Sequence, residues 1–144
     1  MHSRLLLPWS MALWTLVALL SACNGSAPAS TEFETLEAQA NAHADAARAL
    51  AVNMPCSEVG HCGRLYLQPT RGVCALPTLV TYSRVSATAR QAEAETAAQN
   101  TAASQALPLQ PGGLPPNVMC FAGFPDPPLA CERGACVTGA VALP

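Results

Sequence analysis

The chain has no lysine and no isoleucine, and aromatic residues make up only 5% of its 144 positions. All seven cationic side chains are therefore arginine, a bias that we attribute to codon usage rather than to function. Because aromatics are scarce and alanine is abundant, little apolar area can be buried per residue. A hydrophobic core alone would stabilise such a chain poorly.

Motifs typical of enzymes are also missing. We find no nucleophile elbow, phosphate-binding loop, dinucleotide fingerprint, HExxH zinc motif or redox C-x-x-C. No two acidic residues stand out as a catalytic pair. Glu58 is interpreted as a solvated loop residue, and Ser83 as the cap of a helix rather than as a nucleophile. We therefore expect no enzyme activity, no catalytic residue and no cofactor.

The first 22 residues have the layout of a secretory signal. Arg4 gives a positive start, residues 5–20 carry no charge, and small residues follow at 21 and 22. The apolar run contains Pro8 and is short for a transmembrane helix, which needs about 20 apolar residues. We predict that residues 1–22 are removed, leaving 122 of the 144 residues, which suits one small domain.

The end of this signal resembles that of bacterial lipoproteins. Their motif is an aliphatic residue, two small residues and a cysteine, matched here by Leu20, Ser21, Ala22 and Cys23. The resemblance implies that Cys23 becomes the first residue and carries a lipid, so that the chain meets the membrane through an N-terminal anchor. Asn24, where aspartate favours inner-membrane retention in similar lipoproteins, implies the outer membrane, facing the periplasm. The alternative is a soluble secreted protein with a cysteine at its cleavage site.

The residues after the anchor indicate a tether and then a domain. Several acyl chains on one cysteine would hold the protein firmly, because each buried CH₂ contributes about 0.8 kcal/mol. Residues 24–30 are small, polar or proline, which is typical of a flexible linker. We divide the chain into a signal at 1–22, a tether at 23–30 and a small cysteine-rich domain at 31–144.

Six further cysteines indicate disulfides: Cys56, Cys62, Cys74, Cys120, Cys131 and Cys136. An even number outside the cytoplasm predicts three bonds, each contributing about 2–4 kcal/mol, and leaves 15 pairings open. A bond between Cys131 and Cys136, which flank "ERGA", would close a hairpin. The rival interpretation is a zinc site at Cys56, His61, Cys62 and Cys74. Because C-x5-C is not a zinc-ribbon spacing, we favour disulfides, no metal, and His61 in a surface loop.

The charge of the mature chain argues against nucleic acid as a partner. Without the signal, six arginines face nine acidic residues. The arginines are scattered and form no basic patch, so the electrostatic footprint of a nucleic-acid-binding protein is missing.

Periodicity predicts two helices. The first covers about 31–53, with a capping box of Thr31 and Glu34, a stop at Pro55, and His43 on a solvated face. Its thin apolar stripe consists of Phe33, Leu36, Ala40, Ala47 and Leu50. The second covers about 84–106 and has a weak apolar face of Val85, Ala89, Ala92, Thr96 and Ala103.

Short strands complete the predicted fold. A hairpin covers about 62–82, with Leu65 and Leu67 pointing to one face and "PTRG" at 69–72 as a turn. Further strands are expected in "VMCFAGF" (118–124) and "ACERGACVTG" (130–139). We therefore predict an α+β fold: a small disulfide-stabilised domain with two helices packed on a short antiparallel sheet.

The cysteine layout also resembles that of small cysteine-rich bacterial envelope proteins. The matching pieces are the pair Cys56 and Cys62, then Cys74 with Pro77, then Tyr82-Ser83, and the late trio Cys120, Cys131 and Cys136 around Gly134. The match departs at Cys74-Ala75-Leu76-Pro77, where those proteins often have Cys-Gly-Gly-Pro, so a tight glycine turn is not implied there. The resemblance implies fold and compartment, and no activity.

Two functions fit these observations. The first is a membrane-anchored envelope lipoprotein with a structural, accessory or binding role, and with an envelope protein as its partner. The second is a tethered inhibitor or immunity-type module that blocks a hydrolase with the proline-stiffened loop at 110–116, since stiff loops lose less entropy on binding. The plain interpretation of that loop is a linker between helix and strand.

Overall fold

The computed structural model describes residues 29–113 and 126–139. It contains two helices and four strands, which pair into two separate antiparallel sheets of two strands each. The fold is therefore α+β, as predicted from the sequence. The elements are α1 (Ala29–Leu50), β1 (Cys62–Leu67), β2 (Thr78–Ser83), α2 (Ala89–Ala106), β3 (Leu129–Glu132) and β4 (Ala135–Thr138). The strand expected at 118–124 lies outside the described residues.

The first helix begins and ends earlier than predicted. Its range is Ala29–Leu50, so Thr31 lies inside the helix and not at its cap, and the capping box is wrong. The Thr31 carbonyl instead accepts a hydrogen bond from the Thr35 hydroxyl at 2.8 Å. The helix stops well before Pro55 because the backbone beyond it is used by other elements. The Val52 carbonyl, for example, accepts the Ser83 N–H at 2.8 Å.

The second helix begins five residues later than predicted, and Ser83 does not cap it. Its N-cap is Thr88, whose hydroxyl donates to the Leu50 carbonyl at 2.7 Å and so ties the start of α2 to the end of α1. Ser83 is the last residue of β2, and its hydroxyl donates to the Pro55 carbonyl. Ser83 is fully buried, so this bond satisfies a hydroxyl that water cannot reach.

The predicted hairpin of β1 and β2 is confirmed. Its register pairs Cys62 with Ser83 and Leu67 with Thr78. Leu65 and Leu67 are buried on one face, as the alternation of the sequence predicts. On the other face, Tyr66 donates to the Asp126 carboxylate, and Arg64 donates to the Pro127 carbonyl. The segment before β3 is thereby fixed on β1.

The second hairpin, β3 and β4, turns through Arg133 and Gly134. Both residues have positive φ, 52° and 79°, as a two-residue type I′ turn requires. The outer edge of β4 is covered by the chain after α1. The Cys136 N–H donates to the Asn53 carbonyl at 2.7 Å, and the Cys56 N–H donates to the Gly134 carbonyl at 2.8 Å.

The core of the described part is built from small side chains. Of its fifteen buried apolar residues, eight are alanine and three are cysteine. Only four are large: Phe33, Leu65, Leu67 and Tyr82. The buried residues fall into several small clusters rather than one. Little hydrophobic free energy is available per residue, so cross-links and polar contacts must carry much of the stability.

The seam between the two helices consists of alanines. Ala40 of α1 packs against Ala102 and Ala103 of α2, and all three are buried. Such small residues let two helix backbones approach closely, and they leave no room for a larger side chain. The two helices are therefore held together at this seam by close backbone packing and not by large buried side chains.

We predict that Ala40→Leu destabilises the protein by about 1–3 kcal/mol, because the extra methyl groups must displace a backbone or leave their rotamer. Ala94→Leu, at an exposed position on α2, is the matched control. Urea unfolding of both oxidised variants measures the difference. Equal stability of the two variants would show that the seam is loose.

Candidate functional site

Two disulfides join parts of the chain that are far apart in sequence. Cys56 bonds to Cys131 and Cys62 bonds to Cys136, with separations of 75 and 74 residues. Cys56, Cys62 and Cys136 form a buried cluster, against which Leu129 packs. Both bonds fasten the β3–β4 hairpin to the start of β1 and to the loop before it. Closing a first loop of this length stabilises a fold by about 4 kcal/mol in the chain-entropy description, and the second bond, which then closes a loop of only about a dozen residues, adds about 3 kcal/mol.

A bond between Cys131 and Cys136 is not formed, although the hairpin that it would close is present. The two residues are direct partners in the register of β3 and β4. Partners on antiparallel strands point to the same face, and on that face their sulfurs meet Cys56 and Cys62 instead.

The cysteines of the rival zinc site, Cys56, Cys62 and Cys74, are all disulfide-bonded and offer no free thiolate. The sulfurs of Cys56, Cys62 and Cys136 lie within 4.8 Å of one another, which is a metal-like spacing. Each is bonded in a disulfide, however, and a metal needs the free thiolate. Cys74 is disulfide-bonded as well. Cys23 and Cys120 lie outside the described residues.

The loop before β1 brings a serine, a histidine and a glutamate together. The Ser57 hydroxyl lies 3.2 Å from His61 Nδ1, and the Glu58 carboxylate lies 3.4 Å from His61 Nε2. The Ser57 N–H also points at Nδ1, at 3.4 Å, which is typical of a compact turn. Because Ser57 and Glu58 are exposed, water would compete at every step, and we assign no catalysis to this turn.

His43 is not simply solvated. Its Nδ1 lies 2.6 Å from the Glu95 carboxylate, so the side chain bridges α1 and α2. The sequence gives no signal of this pair, because its members are 52 residues apart.

A polar groove lies where α1 and α2 meet the end of the first hairpin. Its volume is about 270 Å³, and its lining combines amides, hydroxyls, arginines and a few apolar residues: Asn41, Ala44, Arg48, Leu67, Gln68, Pro69, Thr70, Arg71, Leu76, Thr78 and Gln99. Sequence reasoning missed this site, since its residues come from four separate segments.

A buried amide orders the wall of this groove. The Gln99 side chain accepts the Gln68 N–H at 3.0 Å and donates to the Gln68 carbonyl at 2.7 Å. Asn100 accepts the same N–H at 3.0 Å. The end of β1 is therefore hydrogen-bonded to α2 as it would be to another strand, with the Gln99 side-chain oxygen as acceptor and its nitrogen as donor.

Arg71 is held firmly at the rim of the groove. Two of its guanidinium nitrogens donate to the Glu37 carboxylate, which also accepts the Thr70 hydroxyl at 3.1 Å. The guanidinium carbon lies 4.7 Å from the centre of the Phe33 ring, a cation–π distance. The hydrogen bond from Arg71 lowers the pKa of Glu37, although burial acts in the opposite direction. The segment at 69–72 is thus pinned to α1, and the hydrogen-bonded turn of this loop follows it, with the Ala75 N–H donating to the Gly72 carbonyl at 3.3 Å.

Arg48 supplies the second guanidinium of the groove. It projects from α1 and donates to Asp45 at 2.9 Å, one turn earlier on the helix. Neither Asp45 nor Glu37 lines the groove, and none of its eleven lining residues is acidic. The two charged residues of the lining are thus both cations, and each is paired with a carboxylate that lies outside it.

The loop suggested as an inhibitory segment begins beside this groove. The Gln110 side chain accepts the Gly72 N–H at 3.0 Å and donates to the Gly113 carbonyl at 3.2 Å. Residues 110–113 are therefore fixed to the segment at 69–72. Residues 114–116 lie outside the described residues.

Tyr82 is the one large polar side chain in the core cluster of Leu65, Ala89 and Ala92. Its hydroxyl donates to Glu93. Burial, and then this hydrogen bond, raise the pKa of Tyr82 to about 12. Gly63 must be glycine here, because a Cβ at that position would lie 2.4 Å from the Tyr82 ring.

The comparisons with known proteins give no relative. No protein-family model, no curated protein and no solved structure matches this chain. Within residues 29–113 and 126–139, no helix has the length and apolar character needed to cross a membrane.

We predict that Tyr82 ionises with a midpoint near pH 12 in the folded protein. An unfolded tyrosine ionises near pH 10, so the stability that Tyr82 contributes is complete below about pH 10 and is lost as the pH rises toward 12. The protein has two tyrosines, so phenolate absorbance of Tyr66→Phe reports Tyr82 alone. The urea-unfolded variant is the control, and a folded midpoint near pH 10 would contradict the burial.

We predict that Cys74, which is disulfide-bonded, bonds to Cys120, since the other four cysteines of the domain pair with one another. Mass spectrometry of a non-reduced digest will identify the linked peptides. Cys74→Ser should leave the other two links intact and release one free thiol at Cys120. A Cys74 link to any other cysteine would contradict the assignment.

Proposed function

We propose that the protein is a lipid-anchored domain of the cell envelope with an accessory, binding role. In this proposal residues 1–22 are the signal, Cys23 carries the lipid, and the tether predicted at 23–30 is shortened to 23–28, because α1 begins at Ala29. The domain faces the periplasm from the outer membrane and binds an envelope component. The match of residues 20–23 to the lipoprotein motif supports the anchor.

The observation that carries the proposal is the pair of long-range disulfides. Bonds of this kind persist outside the reducing cytoplasm, and here they join segments more than 70 residues apart. A core dominated by alanine needs such cross-links, because its own burial contributes little. These cross-links support a location in an oxidising compartment.

The distance from the anchor to the domain is short. The first residue of α1 is Ala29, six positions after Cys23. Six fully extended residues span about 20 Å. An anchor at Cys23 would keep the domain close to the membrane surface, where envelope components are concentrated. The inhibitor alternative stays a prediction from the sequence, because only the first part of its loop is described.

Intact mass of the membrane-extracted protein tests the proposal. We expect a chain that begins at Cys23 with a diacylglyceryl group, and a reductant should add two hydrogens for each disulfide. Cys23→Ser should move the protein from the membrane to the soluble fraction. Ser21→Ala, which keeps a small residue in the motif, is the matched control. An unmodified, uncleaved chain with free thiols would overturn the proposal.

A further inference from the structure

We propose that the polar groove at Arg48 and Arg71 binds a carboxylate, such as the end of a peptide. This inference deepens the binding role proposed above and rests on it. The groove supplies two guanidinium groups with N–H donors beyond those used in their ion pairs, further polar side chains such as Asn41 and Thr78, and a small apolar surface beside them.

The charge of the lining favours an anion. Its two ionised side chains are both guanidinium groups, and its other polar side chains are the amides and hydroxyls of Asn41, Gln68, Thr70, Thr78 and Gln99. A carboxylate placed there would meet no acidic side chain of the lining. Each guanidinium is paired with a carboxylate outside the lining, Arg48 with Asp45 and Arg71 with Glu37. An anion in the groove would therefore be recognised by the guanidinium N–H groups that these pairs leave unused, not by a net positive charge.

Arg71 is oriented before a ligand arrives. Its Nε and one terminal nitrogen are engaged by Glu37, and the Phe33 ring supports its plane. A guanidinium has five N–H donors, so the other terminal nitrogen keeps its donors available among the described contacts. A fixed side chain loses little entropy on binding, which favours affinity even for a small ligand.

Arg48 is freer and completes the pair of cations. Only one of its nitrogens is engaged, by Asp45 on the same helix. Both cations thus have an internal carboxylate partner, which a ligand must compete with or share. We therefore expect a dissociation constant of about 0.1–1 mM, the range of weak recognition.

The size and the apolar part of the groove favour a short group over a polymer. Its volume of about 270 Å³ lies below the range of sites for drug-sized ligands. Leu67 is buried at its base, whereas Leu76 is 60% exposed. An exposed leucine beside two arginines offers apolar contact to a small side chain next to the carboxylate.

Titration of the full chain, acylated and in detergent, with N-acetyl-Ala-Ala tests this assignment. The peptide amide, which lacks the charge, and inorganic phosphate are the comparison probes. Calorimetry should show binding of the free acid and none of the amide. Arg48→Gln should weaken binding about tenfold, equivalent to about 1.4 kcal/mol. Arg90→Gln, an exposed arginine of α2 outside the groove, should leave it unchanged.

Three results would overturn the carboxylate site: equal binding of the amide, equal loss in both arginine variants, or displacement by phosphate at the same concentration as the peptide. Arg48 was chosen over Arg71 because Arg71 also pins the segment at 69–72, so its loss would mix folding with binding. Failure of the peptide to bind an acylated, disulfide-bonded chain would remove the groove assignment and leave the envelope anchor standing.

Discussion

The fold depends on two disulfides that fasten a small hairpin to the rest of the domain. Strands β3 and β4 have four residues each and form a sheet of their own, and an isolated two-stranded hairpin is at best marginally stable in water. Cys131 and Cys136 connect it to Cys56 and Cys62. Backbone hydrogen bonds from Cys136 to Asn53 and from Cys56 to Gly134 add to this attachment. Without the two disulfides, we expect the hairpin to detach from the rest of the domain.

Polar contacts supply what the alanine core does not. Gln99 extends the hydrogen bonding of β1 into α2, His43 and Glu95 bridge the helices, and Tyr82 reaches Glu93 from the core. Each joins elements that small apolar side chains hold only weakly. Tyr82 is buried because the core has few other bulky side chains to fill it. That burial, together with the hydrogen bond to Glu93, raises the pKa of Tyr82.

The sequence predicted the elements of the fold but not how they meet. Alternation at Leu65 and Leu67 and the alanine-rich runs were sufficient for the hairpin and the helices, because these patterns are local. Ser83 was misassigned because its partner, the Pro55 carbonyl, is 28 residues away. The polar groove was missed for the same reason: Arg48, Arg71 and Gln99 share no local pattern. The cysteines were identified as disulfide formers, but their pairing depends on which loops the hairpin packs against.

A single structural device accounts for the position of the groove. The segment at 69–72 must be fixed to α1, and the bond from Arg71 to Glu37 does this. Because a guanidinium has more donors than one carboxylate can use, the same contact that secures this segment leaves Arg71 with unused N–H groups in the lining of the groove. A structural ion pair thus creates a polar site without any residue dedicated to it. In a small domain with few large side chains, a binding surface of this origin takes no large apolar residue away from the core.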